Sequence, residues 1–444
     1  MMTLVDYRDR HARLQAILGR GASFSPEIDA AVRRILDDVQ ARGDEAVLDL
    51  TERFDGVRPP ALRVPASALA DAAAAMDPEL RAIIAEAAAN IRRFHERQRQ
   101  NSWFMDDGDG VVLGQRVVPL ERVGLYVPGG TAFYPSSLLM NAIPAQVAGV
   151  PAIHLVSPPG PDGLPNRLVL ATAHFLGLEH VYAAGGAQAV AALAFGTATI
   201  PRVDKIVGPG NAYVAAAKKL VYGPVDIDSV AGPSEIVVLA DETADAEFVA
   251  ADLLSQAEHD VRASAILVTP HRPLAEAVRR HVAALVPRLE RRAILEQALR
   301  DYGACIVTDT MDEALAMVND LAPEHLELIV RDPWQTMSGI KHAGAIFLGP
   351  YASEPVGDYF AGPNHVLPTG GTARYASALS VDDFIRKQSI IGYTRARLMQ
   401  TGARIVRFAE AEGLTAHALA VQVRLDRGEA GGDPSGRTPA APPG

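Results

Sequence analysis

The sequence is almost free of cysteine. Cys305 is the only one in 444 residues, which excludes an intrachain disulfide framework and a cysteine-based zinc cage and suits a reducing compartment. A basic surplus is missing too. Lys and Arg number 42 against 53 Asp and Glu, a net charge of −11, and a phosphate-backbone binder needs a clustered basic face. Nucleic acid is therefore not an expected partner. Long apolar runs are also lacking: the longest weakly polar stretch, 183–196, is built of Gly and Ala and falls short of the ~20 residues a membrane-spanning helix needs. The first residues, MMTLVDYRDRHARLQ, have no apolar signal-peptide core. The expected location is the cytoplasm, with no membrane contact.

What is present belongs to an ordinary globular protein, with 48% hydrophobic and 21% charged residues. The length suits two packed domains plus appendages. Residues 25–99 carry apolar positions at helical spacing, in IDAAVRRILDDVQARGDEAVLDLTERF and LRAIIAEAAANIRRFHERQR. Ser25-Pro26-Glu27 supplies a cap, a first-turn proline and an acid at the start of the first helix. From Val117 the pattern changes to short apolar runs, among them VGLYV, AIHLVS, EIVVLA, SAILVT, ACIVTD and LELIV, alternating with Ala-rich helices. Such alternation predicts an α/β fold with mostly parallel sheets covered on both faces. After Ala378 the chain reads as helical to about Arg427, and the Gly/Pro-rich end RGEAGGDPSGRTPAAPPG is expected to be disordered.

Four groups of residues carry chemistry. Three strand-to-helix turns, VGLYVPGG (123–130), AAGGAQAVAAL (183–193) and KIVGPGNAYVAAAKK (205–219), each carry a polar group, Tyr126, Gln188 and Asn211. None is GxGxxG, yet three such turns in one region point to a dinucleotide, because helix N-termini present amides to phosphate. In DLLSQAEHD (252–260), Gln256 and His259 share a helix face and can meet one ion, given partners. Asp358 and His365 in the turn-rich EPVGDYFAGPNHVLPTGG (354–371) are such partners. In LAPEHLEL, Glu324 and His325 stand just before an apolar run and offer two bases of different strength. Glu412 and His417, in AEAEGLTAHAL, lie on the helical tail. Cys305, within GACIVTD, reads as a small core side chain.

Taken together, GLYVPGG, GGAQAVAALAFGT, VDKIVGPGN, AGPSEI, DLLSQAEH, APEHLE, GDYFAGPNHVLPT and EGLTAH closely resemble, in order, the motifs of the histidinol dehydrogenase family, over roughly residues 25–425. The resemblance implies NAD-dependent oxidation of L-histidinol through L-histidinal to L-histidine, the last step of histidine biosynthesis. One zinc ion per subunit would be held by Gln256, His259, Asp358 and His417, although manganese or cobalt also suits an N/O site. Glu324 and His325 would be the acid–base residues. Ser234, His365 and Glu412 would contact substrate together with Glu324, His325 and the metal ligands, while Tyr126, Gln188 and Asn211 would lie along NAD. A homodimer with shared active sites is implied, each tail reaching the other subunit.

The corresponding architecture is two incomplete Rossmann-like domains, one inserted in the other, with a helical N-terminal region and a helical C-terminal tail. Its expected parts are an N-terminal helical extension (1–24), a discontinuous large α/β domain (25–125 and 235–379), an inserted NAD-binding α/β domain (126–234), a helical tail (380–427) and a disordered end (428–444). Two alternatives remain at this point. A relative on the same scaffold could oxidise other small hydroxylated compounds, such as sulfonated diols. A zinc hydrolase or nucleotide-binding regulator could also use the His and carboxylate cluster, but it has no need of three dinucleotide-type turns.

Overall fold

The computed structural model describes residues 2–9, 13, 17, 25–106, 108–129 and 135–429. The first strand, β1 (Thr3–Asp6), is followed by four helices between Pro26 and Glu96, then by β2 (Trp103–Asp106) and β3 (Val111–Pro119). Five strands follow in a first α/β set: β4 (Arg122–Tyr126), β5 (Ala152–Ser157), β6 (His180–Ala183), β7 (Lys205–Val207) and β8 (Asp226–Ile227). A second set comprises β9 (Glu235–Ala240), β10 (Ser264–Thr269), β11 (Gly303–Val307), β12 (His325–Ile329) and β13 (Ala345–Leu348), and β14 (Ile385–Tyr393) leads into two final helices.

The chain folds into two compact units, Met1–Arg99 with Pro119–Ile385 and Gln100–Val118 with Arg386–Gly444. The first unit holds two parallel sheets. One has the order β6-β5-β4-β7-β8 and the other β1-β11-β10-β9-β12-β13. In each, strand order reverses beside a central strand, at β4/β7 and at β9/β12; at the carboxyl ends of β4 and β7 this is the kind of crevice where open α/β sheets take ligands. Both sheets are covered on both faces. Along β9, Ile236, Val238 and Ala240 face one apolar cluster while Val237 and Leu239 face another. Burying one such Val, Leu or Ile side chain contributes about 1.5–3 kcal/mol.

The second unit pairs β2 antiparallel with β3, and β14 lies on the other edge of β3. Thr394 donates its backbone N–H to the Gly110 carbonyl, 2.9 Å away. The helices Arg395–Ala411 and Thr415–Glu429 pack on one another.

The parallel α/β architecture matches the sequence expectation, and three particulars differ. Residues 3–6 are not helical: they extend the six-stranded sheet as an edge strand beside β11. Second, the helices between Pro26 and Glu96 do not cover the six-stranded sheet. Val32, Ile35, Leu36 and Val39 of the first of them bury against Val190 and Leu193 beside the five-stranded sheet, and the last packs on the helix Pro135–Ala148. Third, the segment after Ala378 passes through a short turn, Val381–Phe384, and the nine residues of β14 before its long helices begin. The end expected to be disordered lies, from residue 430 on, outside the described residues.

Candidate active site

A cleft of about 500 Å³ opens in the first unit, lined by the loops after β4 and β7, the approach to β9, the start of β12 and the loop 358–369. The helix Ala246–Ala257, capped at its start by the Asp245 carboxylate, runs from the end of β9 back to this cleft. It delivers Gln256 in its last turn and His259 just beyond it. Gln256 is fully buried, and both its amide oxygen and its amide nitrogen lack hydrogen-bond partners. Leaving such a group unsatisfied costs about 1–3 kcal/mol per atom, so a buried, unpaired amide marks a place where something binds.

The loop after β13 supplies carboxylates. Glu354 opens a short helix and Asp358 follows one turn later, in a wide helical turn. Ligand atoms of His259, Glu354 and Asp358 all lie within 4.8 Å of one another. Glu354 Oε2 accepts a hydrogen bond from the Ser255 hydroxyl at 2.9 Å, while its Oε1 is buried without a partner. Burial, with Asp358 close by, pushes the Glu354 carboxyl up to about 8. For Asp358 burial acts upward as well, but the positive character of His325, with His365 and His259, outweighs it and holds the carboxyl at about 2.

Glu324 and His325 stand where β12 begins, both nearly buried. The Glu324 carboxylate accepts the Glu235 backbone N–H at 2.9 Å, and burial lifts it to about 7. His325 Nδ1 lies 3.0 Å from the Glu235 carbonyl oxygen. A carbonyl can only accept, so Nδ1 carries the proton and Nε2 is the basic nitrogen. That Nε2 is buried without a hydrogen-bond partner, 3.8 Å from Asp358 Oδ1. Burial disfavours charge on the ring, yet Glu324, Asp358 and Glu354 together raise His325 to about 10. Three carboxyl groups and an imidazole thus crowd one buried place.

His365 links the loop to the opposite wall: Nδ1 donates to the Asp358 carbonyl at 3.1 Å and Nε2 lies 3.4 Å from Ser137 Oγ. The structure therefore brings Ser234, Gln256, His259, Glu324, His325, Asp358 and His365 into one cleft, with Asn211 on its rim. Asn211 caps the helix Ala212–Val221, its side-chain oxygen accepting the Tyr213 and Val214 amides. Tyr126 and Gln188 are buried and are not among the lining residues. The Tyr126 hydroxyl accepts the Gly186 N–H at 3.0 Å, and the Gln188 amide is buried with neither end paired. Glu412 and His417 are exposed residues of the second unit, in a separate depression with Ile405, Phe408 and Leu414.

Sequence reading overlooked Glu354, whose i,i+4 spacing from Asp358 was the available signal. It also overlooked Glu327 and Asp252, buried behind Glu354. The Glu354 N–H donates to Glu327 Oε1 at 2.7 Å. Cys305 is fully buried in β11, and burial pushes its thiol up to about 12, which leaves it inert as a nucleophile.

The histidinol dehydrogenase family model matches residues 19–425. The chain belongs to the histidinol dehydrogenase family. These enzymes are oxidoreductases of the last step of histidine biosynthesis. Histidinol dehydrogenase of Geobacillus kaustophilus (strain HTA426) is 58% identical over 407 residues, spanning 92% of this chain and 96% of that one. The Bacillus subtilis (strain 168) enzyme is 55% identical over 396 residues, 89% and 93% of the two chains. The crystal structure of histidinol dehydrogenase from Elizabethkingia anophelis superposes with a TM-score of 0.90 at 38% identity, covering 96% of this chain and 98% of that one.

Proposed function

We propose that this chain oxidises L-histidinol to L-histidinal and then to L-histidine, reducing two NAD, as a cytoplasmic homodimer with one zinc ion per subunit. The observation that carries the reading is the convergence of Glu324 and His325 on a pocket that also holds the unpaired Gln256 amide and the His259–Asp358 cluster. Three things favour a divalent cation there: donor atoms already gathered, a buried amide without a partner, and carboxyl groups crowded together away from water. Gln256, His259 and Asp358 would hold it, with His417 of the partner subunit. The N/O donor set also accepts manganese or cobalt. When bound, the cation would help orient the substrate and would offset the carboxylate charge that keeps His325 protonated, and NAD would supply the hydride acceptor for both oxidations.

The chain's own groups do the proton chemistry. His325, its Nδ1–H held by the Glu235 carbonyl, presents Nε2 to the substrate hydroxyl and takes that proton as the carbon gives up hydride. Glu324, poised near neutrality by burial, takes a proton from water while the protonated His325 returns its proton to the aldehyde oxygen, so that the aldehyde becomes a gem-diol and Nε2 is free again. His325 then takes a gem-diol proton in the second oxidation. The buried Cys305 offers no thiohemiacetal route, so hydration is the way from aldehyde to acid. Tyr126, Gln188 and Asn211 are assigned to NAD, and Ser234 and His365 to substrate. Glu412 and His417 would complete the site of the other subunit in a symmetric dimer. Their helices expose Phe408, Leu419 and Val423, an apolar surface suited to a partner.

The test is NADH absorbance with L-histidinol, set against a panel of alcohols that includes sulfonated diols. Two NADH per histidine formed are expected. Preference for another alcohol, or one NADH with free aldehyde accumulating, overturns the reading.

A further inference from the structure

Lys218 is an ammonium almost fully removed from water, with 2% exposure, on the helix Ala212–Val221. Burying a charge costs several kcal/mol even when it is paired, so its partners bear on its role. The ammonium contacts the Asp228 carboxylate, itself buried, and donates to the Gly208 carbonyl at 2.9 Å. The other Asp228 oxygen accepts the Gly208 N–H at 2.7 Å, and Oδ1 also accepts the Ser229 N–H at 2.6 Å. One ion pair thus engages both backbone groups of a single residue.

That residue is unusual. Gly208 has φ +115°, and a Cβ there would sit 2.1 Å from the Tyr126 carbonyl oxygen, so any side chain would force the turn away from β4. Gly208 opens the turn Gly208–Asn211 on the rim of the cleft, and its last residue caps the helix that carries Lys218. Helix, turn and β8 edge are closed into one loop of interactions around Gly208. The paired charges offset each other, so their effect on an anionic ligand acts through the shape of the turn rather than through net charge.

We propose that Lys218 and Asp228 are a positioning pair that holds the Gly208–Asn211 turn in the form that receives NAD. The inference rests on the reading above that NAD lies along this turn. It predicts an effect centred on the dinucleotide: Asp228 borders the cleft, but the pair's contacts are with Gly208 and Ser229 and with none of the residues assigned to substrate, so affinity for histidinol is set elsewhere.

The test uses the metal-loaded enzyme and calorimetric dissociation constants for NAD and for histidinol, with thermal midpoints of each variant. Lys218→Met leaves Asp228 buried without its cation and should lower the midpoint. Lys218→Met/Asp228→Asn removes both charges, so it folds without an orphaned carboxylate and should regain most of that loss. In both, the NAD constant should rise about tenfold or more, while that for histidinol stays within about twofold. An unchanged NAD constant in the folded double variant overturns the proposal, as does an equal weakening of both ligands. Asn211→Asp keeps the capping oxygen and adds a negative charge on the same turn. If it leaves NAD binding untouched, NAD does not lie there and the underlying reading is wrong. If it weakens NAD while the pair variants do not, only the positioning role is wrong.

Discussion

The two parallel sheets of the first unit meet the cleft with opposite ends. The five-stranded sheet turns the carboxyl ends of β4 and β7 toward it, where Pro128 and Gly208 line the rim, whereas the six-stranded sheet presents the amino ends of β9 and β12, where Ser234, Glu324 and His325 lie. Helix polarity follows. On the five-stranded side the helix Ala212–Val221 points its start, the positive end, at the rim. On the six-stranded side the helix Ala246–Ala257 arrives with its negative end, just where Gln256 and His259 stand. Positive helix ends favour the phosphates of a dinucleotide and negative ends favour a cation. A parallel sheet can thus serve as a phosphate platform or as a metal and proton platform, according to which edge faces the ligand.

The sharpest way to separate the two ends is to chelate the proposed metal. Chelation should abolish oxidation of histidinol while far-ultraviolet circular dichroism and the NAD dissociation constant stay nearly unchanged, and zinc should restore the rate. Full activity in a preparation proven metal-free by elemental analysis would sink the division. Next in size is His325→Asn, expected to slow oxidation of both alcohol and aldehyde by about 10²–10⁴-fold. Glu324→Gln should impair histidinol oxidation more than histidinal reduction, since only the forward second step needs activated water. Equal slowing of both would remove the separate role of Glu324.

A smaller and purely geometric effect concerns the second unit. Dimers of inactive His325→Ala and inactive His417→Ala, mixed after dissociation and reassociation, should regain about one quarter of normal activity if each tail serves the other subunit. Persistent inactivity despite demonstrated exchange would place the tail in its own site.

The smallest effect tests the β5–β6 side of the five-stranded sheet. His154 in β5 is buried, stacks on His180 with centroids 4.7 Å apart, and lies 3.2 Å from the Tyr182 hydroxyl. Burial, and then the positive character of His180, Arg122 and Arg63, press its ring down to about 4 from 6.5. The unfolded chain therefore binds this proton first as pH falls. Stability is whole above about pH 6.5 and declines toward about pH 4. His154→Leu should reduce the drop in urea midpoint between about pH 7 and about pH 4.5, and an undiminished drop would assign the pH dependence to other groups.

Much of this was legible in the sequence because it rests on local pattern. Short apolar runs between Ala-rich helices announced parallel strands, and Glu324-His325 ahead of LELIV placed the two bases at a strand start. Ser25 does cap its helix, accepting the Ile28 N–H. What escaped depends on partners far along the chain. Thr3–Asp6 is short and half exposed, and becomes a strand only because β11 lies beside it. In IRKQSIIGY most side chains of β14 are exposed, so no alternation betrayed it. Glu327 looks like the polar step of an alternating strand, yet it is 1% exposed, because Asp252 and the Glu354 backbone wait on its face. Lys218 and Asp228 look like ordinary surface charges until the fold closes over Gly208.

Cys305 sits on β11 between β1 and β10, sealed from water. With one thiol in the chain, reaction with an alkylating reagent becomes a clock for a single event, the opening of the six-stranded sheet. Such labelling would time the loosening of that sheet without any engineered probe, and, if the proposed metal binds there, saturating zinc should slow the clock while NAD leaves it nearly unaltered.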